Sequence, residues 1–194
     1  MIWESELVIC FSFAKVVARM GIETFYLSWG VYEAEANAEM VIRSSRTRIN
    51  RPRRDNRGYA WILTDIRKSR LKVYKKLYRE RFREDPCHNQ NLVVFLGDAP
   101  PLHVSWSAVS GCIPTYRMIS AFFWYPAFER WLTWQEKLCS MGYPIYPELA
   151  SAMRMPIVDV PSTGPRLQSR LGNGMHLTQA TVALLVGLAC VQAA

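Results

Sequence analysis

Paired metal-ligand spacing is absent from this chain. Its five cysteines (Cys10, Cys87, Cys112, Cys139, Cys190) contain no CxxC pair, and His88, His103 and His176 stand far apart. That excludes a zinc ribbon and a thioredoxin-like redox pair and leaves no expected metal site. A basic leader is also missing: "MIWESELVICFSF" opens without positive charge or a small-residue cleavage site and reads as a buried strand or a truncated beginning. With no secretory signal and an odd, scattered cysteine set, an intracellular and reducing location is expected, nuclear if the source is eukaryotic. No internal repeat or low-complexity linker occurs. Long apolar runs are equally scarce. From 177 to 194 there are 18 residues, interrupted by Thr178, Gln179, Thr181 and Gln192, without flanking aromatics or a basic stop. A span needs about 20. A buried helix is therefore expected in place of a membrane anchor.

Acidic residues are depleted in one region. Residues 43–83 hold sixteen of the 24 Lys and Arg but only three acids, Asp55, Asp65 and Glu80. The stretch is near +13, while the remainder is near −5. Such polarity points to a polyanionic partner, nucleic acid before anionic lipid. The 194 residues suit one domain, and with half of them apolar and 12% aromatic a substantial core is expected.

Periodicity divides the chain into elements. "GIETFYLSW" has strand composition, and "YEAEANAEMVIRSSR" is helical, with acids early and arginines late, as the helix dipole favours. "RINRPRR" reads as a loop or strand entry and "GYAWILTD" as a strand. "IRKSRLKVYKKLYRERFRED" is a basic helix whose Leu71, Tyr74, Leu77, Tyr78 and Phe82 form an apolar face opposite Lys72, Lys75, Lys76 and Arg79. "LVVFLGDAPP" reads as a strand or buried run ended by two prolines. In "RWLTWQEKLCSMGYP", Thr133 and Glu136 have capping-box spacing, Leu138 and Met141 point inward, Gly142 stops the helix and Pro144 follows. "RLGNGMHL" then leads into the apolar final helix, with Asn173 as its cap and Gly172 and Gly174 permitting close backbone approach.

This constellation resembles the C-terminal end of the DNA cytosine-5 methyltransferase family. Thr133, Glu136, Leu138, Met141, Gly142 and Pro144 match its "LTxREAxRLQGFP" helix; Arg170, Gly172, Asn173 and the helix from His176 match its "QxGNxV" turn and closing helix. Met175 and His176 depart from the residues usual there. The resemblance implies an α/β fold: a partial Rossmann-like S-adenosylmethionine-dependent methyltransferase core with a small target-recognition-like insert. Residues 1–83 would form the first part of that core, 84–128 the insert and 129–194 the closing part. It further implies that Gly172, Asn173 and Gly174 line an S-adenosylmethionine pocket and that Glu33 or Glu35 holds the cofactor ribose, a task suited to a carboxylate that accepts two hydroxyl hydrogen bonds. Arg51 and Arg53 in "INRPRRDNRGYAWILT" are similar to the family's arginine-bearing element near the target base, and Arg54 adds to the nucleic-acid contacts expected of Lys72, Lys75, Lys76 and Arg79.

The family's Pro-Cys-Gln, Glu-Asn-Val and Phe-x-Gly-x-Gly motifs are not found. Only "DPCHNQ" holds a Pro-Cys pair; it follows the basic strand, with His88 in place of glutamine. Cys87 reads first as a surface or core cysteine; as a nucleophile, the one candidate left, its thiol would be lowered by His88 and Arg83. The expectation is a shortened methyltransferase-like protein, inactive alone, acting on DNA or with a protein partner that supplies the missing motifs. Two other readings stay open: a non-enzymatic nucleic-acid-binding module in which Tyr74 and Tyr78 stack on bases, and a membrane-associated protein anchored by its last helix.

Overall fold

Helix α1 (Trp29–Thr47) begins where the aromatic run gives way to alanine and glutamate. The computed structural model describes residues 27–47, 58–117, 122–158 and 177–192. Tyr32, Ala36 and Glu39 are buried along one stripe of α1, spaced four and three residues apart as a single helix face requires. Trp29, assigned above to the end of a strand, is instead the first helical residue. Its ring stacks on Tyr32 one turn later at 5.9 Å, a contact that the helix creates and a strand would not. The earlier residues of that segment, 21–26, lie outside the described residues.

"GYAWILTD" also departs from expectation. It forms a short 3-10 helix, Ala60–Ile62, not a strand. Gly58 has φ +106°, and Tyr59 N–H donates to Glu129 O at 2.8 Å, so the chain turns here before it can extend. Tyr59 and Leu63 are buried on either side of the turn. An apolar run of this length lacks a period that separates strand from buried turn. The next two residues decide the geometry: Thr64 caps helix α2 (Asp65–Phe82) by accepting from Arg67 N, with Asp65 in the first turn. Leu71, Tyr74 and Tyr78 of α2 are buried, Phe82 is half-buried, and Arg83 ends the helix in the left-handed region. Tyr74 Oη accepts from Ser105 N at 3.0 Å, and Tyr78 Oη accepts from Asn89 Nδ2 at 2.9 Å. Both rings also pack on Trp106. They are core residues, so the base-stacking role considered for them is overturned by burial.

Strands β1 (Val94–Phe95), β2 (Phe123–Tyr125) and β3 (Arg130–Trp131) form an antiparallel sheet in that order, with Val94 opposite Trp124 and Trp124 opposite Trp131. Alternate residues go to opposite faces. Leu92, Val94, Leu96, Phe122, Trp124 and Trp131 join the buried residues of α1 and α2, whereas Val93, Phe95, Phe123, Tyr125 and Leu132 form a second apolar layer. "LVVFL" is thus strand and buried run at once, because both faces are covered. The β2–β3 hairpin joins residues on either side of position 128, so one sheet serves the segments 84–128 and 129–194. Every strand pairing among the described residues is antiparallel.

Helix α3 (Trp134–Ser140) carries the expected capping box in full: Thr133 Oγ1 accepts from Glu136 N, and Glu136 Oε2 accepts from Thr133 N at 3.0 Å. Leu138 and Met141 are buried, and Gly142 turns the chain at φ +83°. Thr133→Ala is expected to cost about 1–2 kcal/mol, at the upper part of the capping range because the site is buried; urea denaturation measures it. Helix α4 (Pro147–Met153) follows, opened by Pro147 in its first turn.

Helix α5 (Leu177–Gln192) forms where the apolar tail predicts it but is not buried. Leu184 is 67% exposed and Leu188 60%, and a Cβ added at Gly187 would meet nothing within 4 Å. Apolar composition sets a demand for burial that Leu184, Val186 and Leu188 do not meet. Among the described residues no helix is long and apolar enough to cross a membrane.

Candidate functional site

The basic character of α2 resolves into two sets of side chains with different duties. Arg70 Nη1 donates to Leu96 O at 2.8 Å and Gly97 O at 2.7 Å, and the Arg67 guanidinium lies 4.1 Å from the centre of the Phe122 ring. These two fasten the helix to the end of β1 and the start of β2. Lys68, Lys72, Lys76 and Arg79 fall on another side. At 100° per residue they occupy a stripe about 80° wide, and from Lys68 to Arg79 it runs about 16 Å, close to five nucleotide steps along one DNA strand. All four are exposed. Three of the four have an acid within reach: Asp65 at 3.9 Å from Lys68, Glu80 at 3.7 Å from Lys76, and Asp85 at 2.5 Å from Arg79, whose Nε also donates to it at 3.2 Å. Four cations against three acids leave the stripe at +1, and exposed pairs of this kind contribute little stability and are screened by salt, so a phosphate can displace them.

Of the expected nucleic-acid contacts, Lys72, Lys76 and Arg79 are brought together here, with half-buried Lys75 at the stripe's border. Lys68 belongs to the same stripe and was missed, although its position four residues before Lys72 already places it there. Arg51, Arg53 and Arg54 lie outside the described residues, as do Gly172, Asn173 and Gly174.

Cys87 sits beside this stripe, and its surroundings disfavour the thiolate that a nucleophile needs. Burial pushes the thiol up, and Asp85 adds to that effect; Lys75 opposes it without prevailing. The lowering expected from His88 and Arg83 is not realised, because burial outweighs the charges around the thiol. Asp85 itself is held well below the usual carboxylate range by the Cys87 N–H and by Arg79. Cys139 is raised to about 12 by burial. Iodoacetamide at pH 8 is expected to modify exposed Cys112 first among the described cysteines, with Cys139 reacting only after unfolding. Peptide mass mapping of a time course measures the order.

Glu33 and Glu35 lie two residues apart on α1, about 200° round the helix, so they cannot both face one ribose. The Glu35 carboxyl is raised by burial and by Glu39 and bonds Gln135, so it is engaged within the protein.

Two arrangements escaped the sequence. The first is a buried charged cluster. Glu39 accepts from Trp131 Nε1 at 2.9 Å and from Trp134 N, and Glu136 accepts from Arg130 Nη2 at 2.8 Å and Leu27 N at 3.2 Å in addition to Thr133. Arg130 lies over the Tyr32 ring at 4.0 Å. These groups fasten α1 to the β3–α3 junction, and each contact is made inside the protein. The second is a groove of about 310 Å³ beside β1, walled by Phe95, Trp106, Pro114 and Arg117. No protein-family model matches the chain, and neither a curated protein nor a solved structure does.

Proposed function

We propose that this chain is a nucleic-acid-binding module that holds the phosphate backbone on the exposed stripe of α2. The observation that carries this reading is the division of labour on that helix: Leu71, Tyr74 and Tyr78 are fixed in the core while Lys68, Lys72, Lys76 and Arg79 project together into solvent. A rigid row of cations recovers counterion-release energy with little ordering cost, and phosphate contacts carry no sequence information. Binding is accordingly sequence-tolerant, with Kd on the order of 1–100 μM at physiological salt. Competition between two duplexes of unrelated sequence tests it: near-equal affinities are expected, and a hundredfold preference, or no binding at low salt, contradicts it.

A second reading is favoured by α3. Its capping box, its inward Leu138 and Met141 and its stop at Gly142 support the resemblance to DNA cytosine-5 methyltransferases. In that reading the chain is a shortened, Rossmann-like scaffold, Gly172–Gly174 and a glutamate of α1 would hold S-adenosylmethionine as methyl donor, and a protein partner supplies the missing motifs. Calorimetry with S-adenosylmethionine, using Asn173→Ala as control, tests it; a folded chain that takes up no cofactor contradicts it.

A further inference from the structure

Resting on the reading that α2 holds phosphates, we infer that Asp85 is a positioning residue for that surface. It fixes the guanidinium of Arg79 so that the free edge of the group offers two donors to one phosphate. The three ion pairs of the stripe differ in kind. Lys68–Asp65 and Lys76–Glu80 are single contacts at 3.9 and 3.7 Å, longer than a hydrogen bond. Both acids are exposed and have no other partner among the described residues. An ammonium on a flexible stem keeps its freedom in such a pair. Arg79 is held otherwise. Its Nη2 and Nε both donate to Asp85 Oδ2, at 2.5 and 3.2 Å. The second oxygen of that carboxylate, Oδ1, accepts from Cys87 N at 2.8 Å, and His88 N donates to Asp85 O at 3.0 Å. The backbone of the turn after α2 thus fixes the carboxylate, and the carboxylate fixes the arginine.

A guanidinium carries its N–H donors in one plane. The side formed by Nε and Nη2 is used on Asp85. Nη1 has no partner among the described residues, and the Arg79 side chain is 54% exposed. The remaining edge, Nη1 with the outer N–H of Nη2, is the fork that takes two phosphate oxygens. An arginine already held in one orientation also loses less side-chain freedom when it meets an anion.

Asp85 therefore acts on a phosphate in two opposed ways, and their signs differ. As a counter-charge it repels the anion; its removal would take the stripe from +1 to +2 and tighten binding. As a positioning group its removal frees the Arg79 fork and weakens binding. The structure assigns the larger effect to positioning, because the carboxylate is itself anchored and meets Arg79 through two donors.

The test is anisotropy titration of a labelled duplex at fixed salt. It compares the full chain, Asp85→Asn, Arg79→Lys, Arg79→Ala, and Asp85→Asn combined with Arg79→Ala. Asparagine keeps an oxygen for the Cys87 N–H, so the turn is retained. Asp85→Asn is expected to weaken binding about 3- to 10-fold, the order for one hydrogen bond, although it adds positive charge. Arg79→Lys keeps the charge but not the fork and is expected to lose a similar factor. On Arg79→Ala, adding Asp85→Asn is expected to tighten binding, since only the counter-charge effect remains. Damage to the fold would not reverse its sign in this way. Thermal melts establish which variants are folded; if Asp85→Asn is not, Arg79→Lys alone decides. Unchanged or tighter binding by Asp85→Asn, a loss that persists on Arg79→Ala, or Arg79→Lys binding like the full chain overturns the positioning role and leaves the stripe standing. A full chain that does not bind the duplex overturns both.

Discussion

Glu136→Ala is expected to destabilise the protein by about 3–5 kcal/mol, the range for removing one partner of a buried ion pair. Glu136 is fully buried and Arg130 is 4% exposed, so water cannot replace the lost carboxylate. The substitution strips Arg130 of an acceptor at 2.8 Å and simultaneously takes one from Thr133 N and Leu27 N. Because total stabilities are commonly about 5–15 kcal/mol, such a loss brings the fold near its limit. Glu136→Gln keeps the shape and an acceptor oxygen and is expected to lose less. It also removes a pH dependence of known sign. Burial pushes the Glu136 carboxyl up, with Arg130 opposing. Its contribution is therefore fully present below the ordinary glutamate pKa of about 4.3 and is lost as pH rises through the raised folded value. Urea midpoints from pH 4 to 8 for the parent chain and both variants measure the two effects together.

Charge reversal on α2 is the second large effect. Lys72→Glu with Lys76→Glu is expected to weaken duplex binding about 100-fold at 50 mM salt, since two phosphate contacts become two repulsions. Stability is expected to change by less than about 1 kcal/mol, because both side chains are exposed and the Lys76–Glu80 pair lies in solvent. Anisotropy titrations beside thermal melts separate these outcomes. Unchanged affinity in a folded double variant would move the interface away from α2.

The parts legible in the sequence were those decided within a few residues. Helix α3 was readable to its cap because Thr133, Glu136 and Gly142 satisfy one another locally, and α2 because Leu71, Tyr74 and Tyr78 keep one helical face. The same spacing argument located Lys72, Lys76 and Arg79 on a common side. Residues 58–65 were misassigned because an apolar run carries no period and because the turn there is fixed by Glu129, far along the chain. Strands β2 and β3 went unread: Phe122 to Tyr125 are aromatic on both faces, so no alternation marked them. The buried cluster was out of reach for the same reason. Glu39 meets Trp131 and Trp134 more than ninety residues away, and nothing around Glu39 in sequence distinguishes it from half-buried Glu33 and Glu35 on the same helix. For α5, composition gave the helix and its apolar character but not what stands opposite it.

The measurement that tests the α2 interface most directly is the salt dependence of DNA affinity. Four phosphate contacts, from Lys68, Lys72, Lys76 and Arg79, predict that log K for a duplex falls with log salt at a slope of about −3 to −4, and that Lys72→Ala with Lys76→Ala reduces it by about 2. A flat salt profile, or a slope that the double substitution leaves unchanged, would contradict the account.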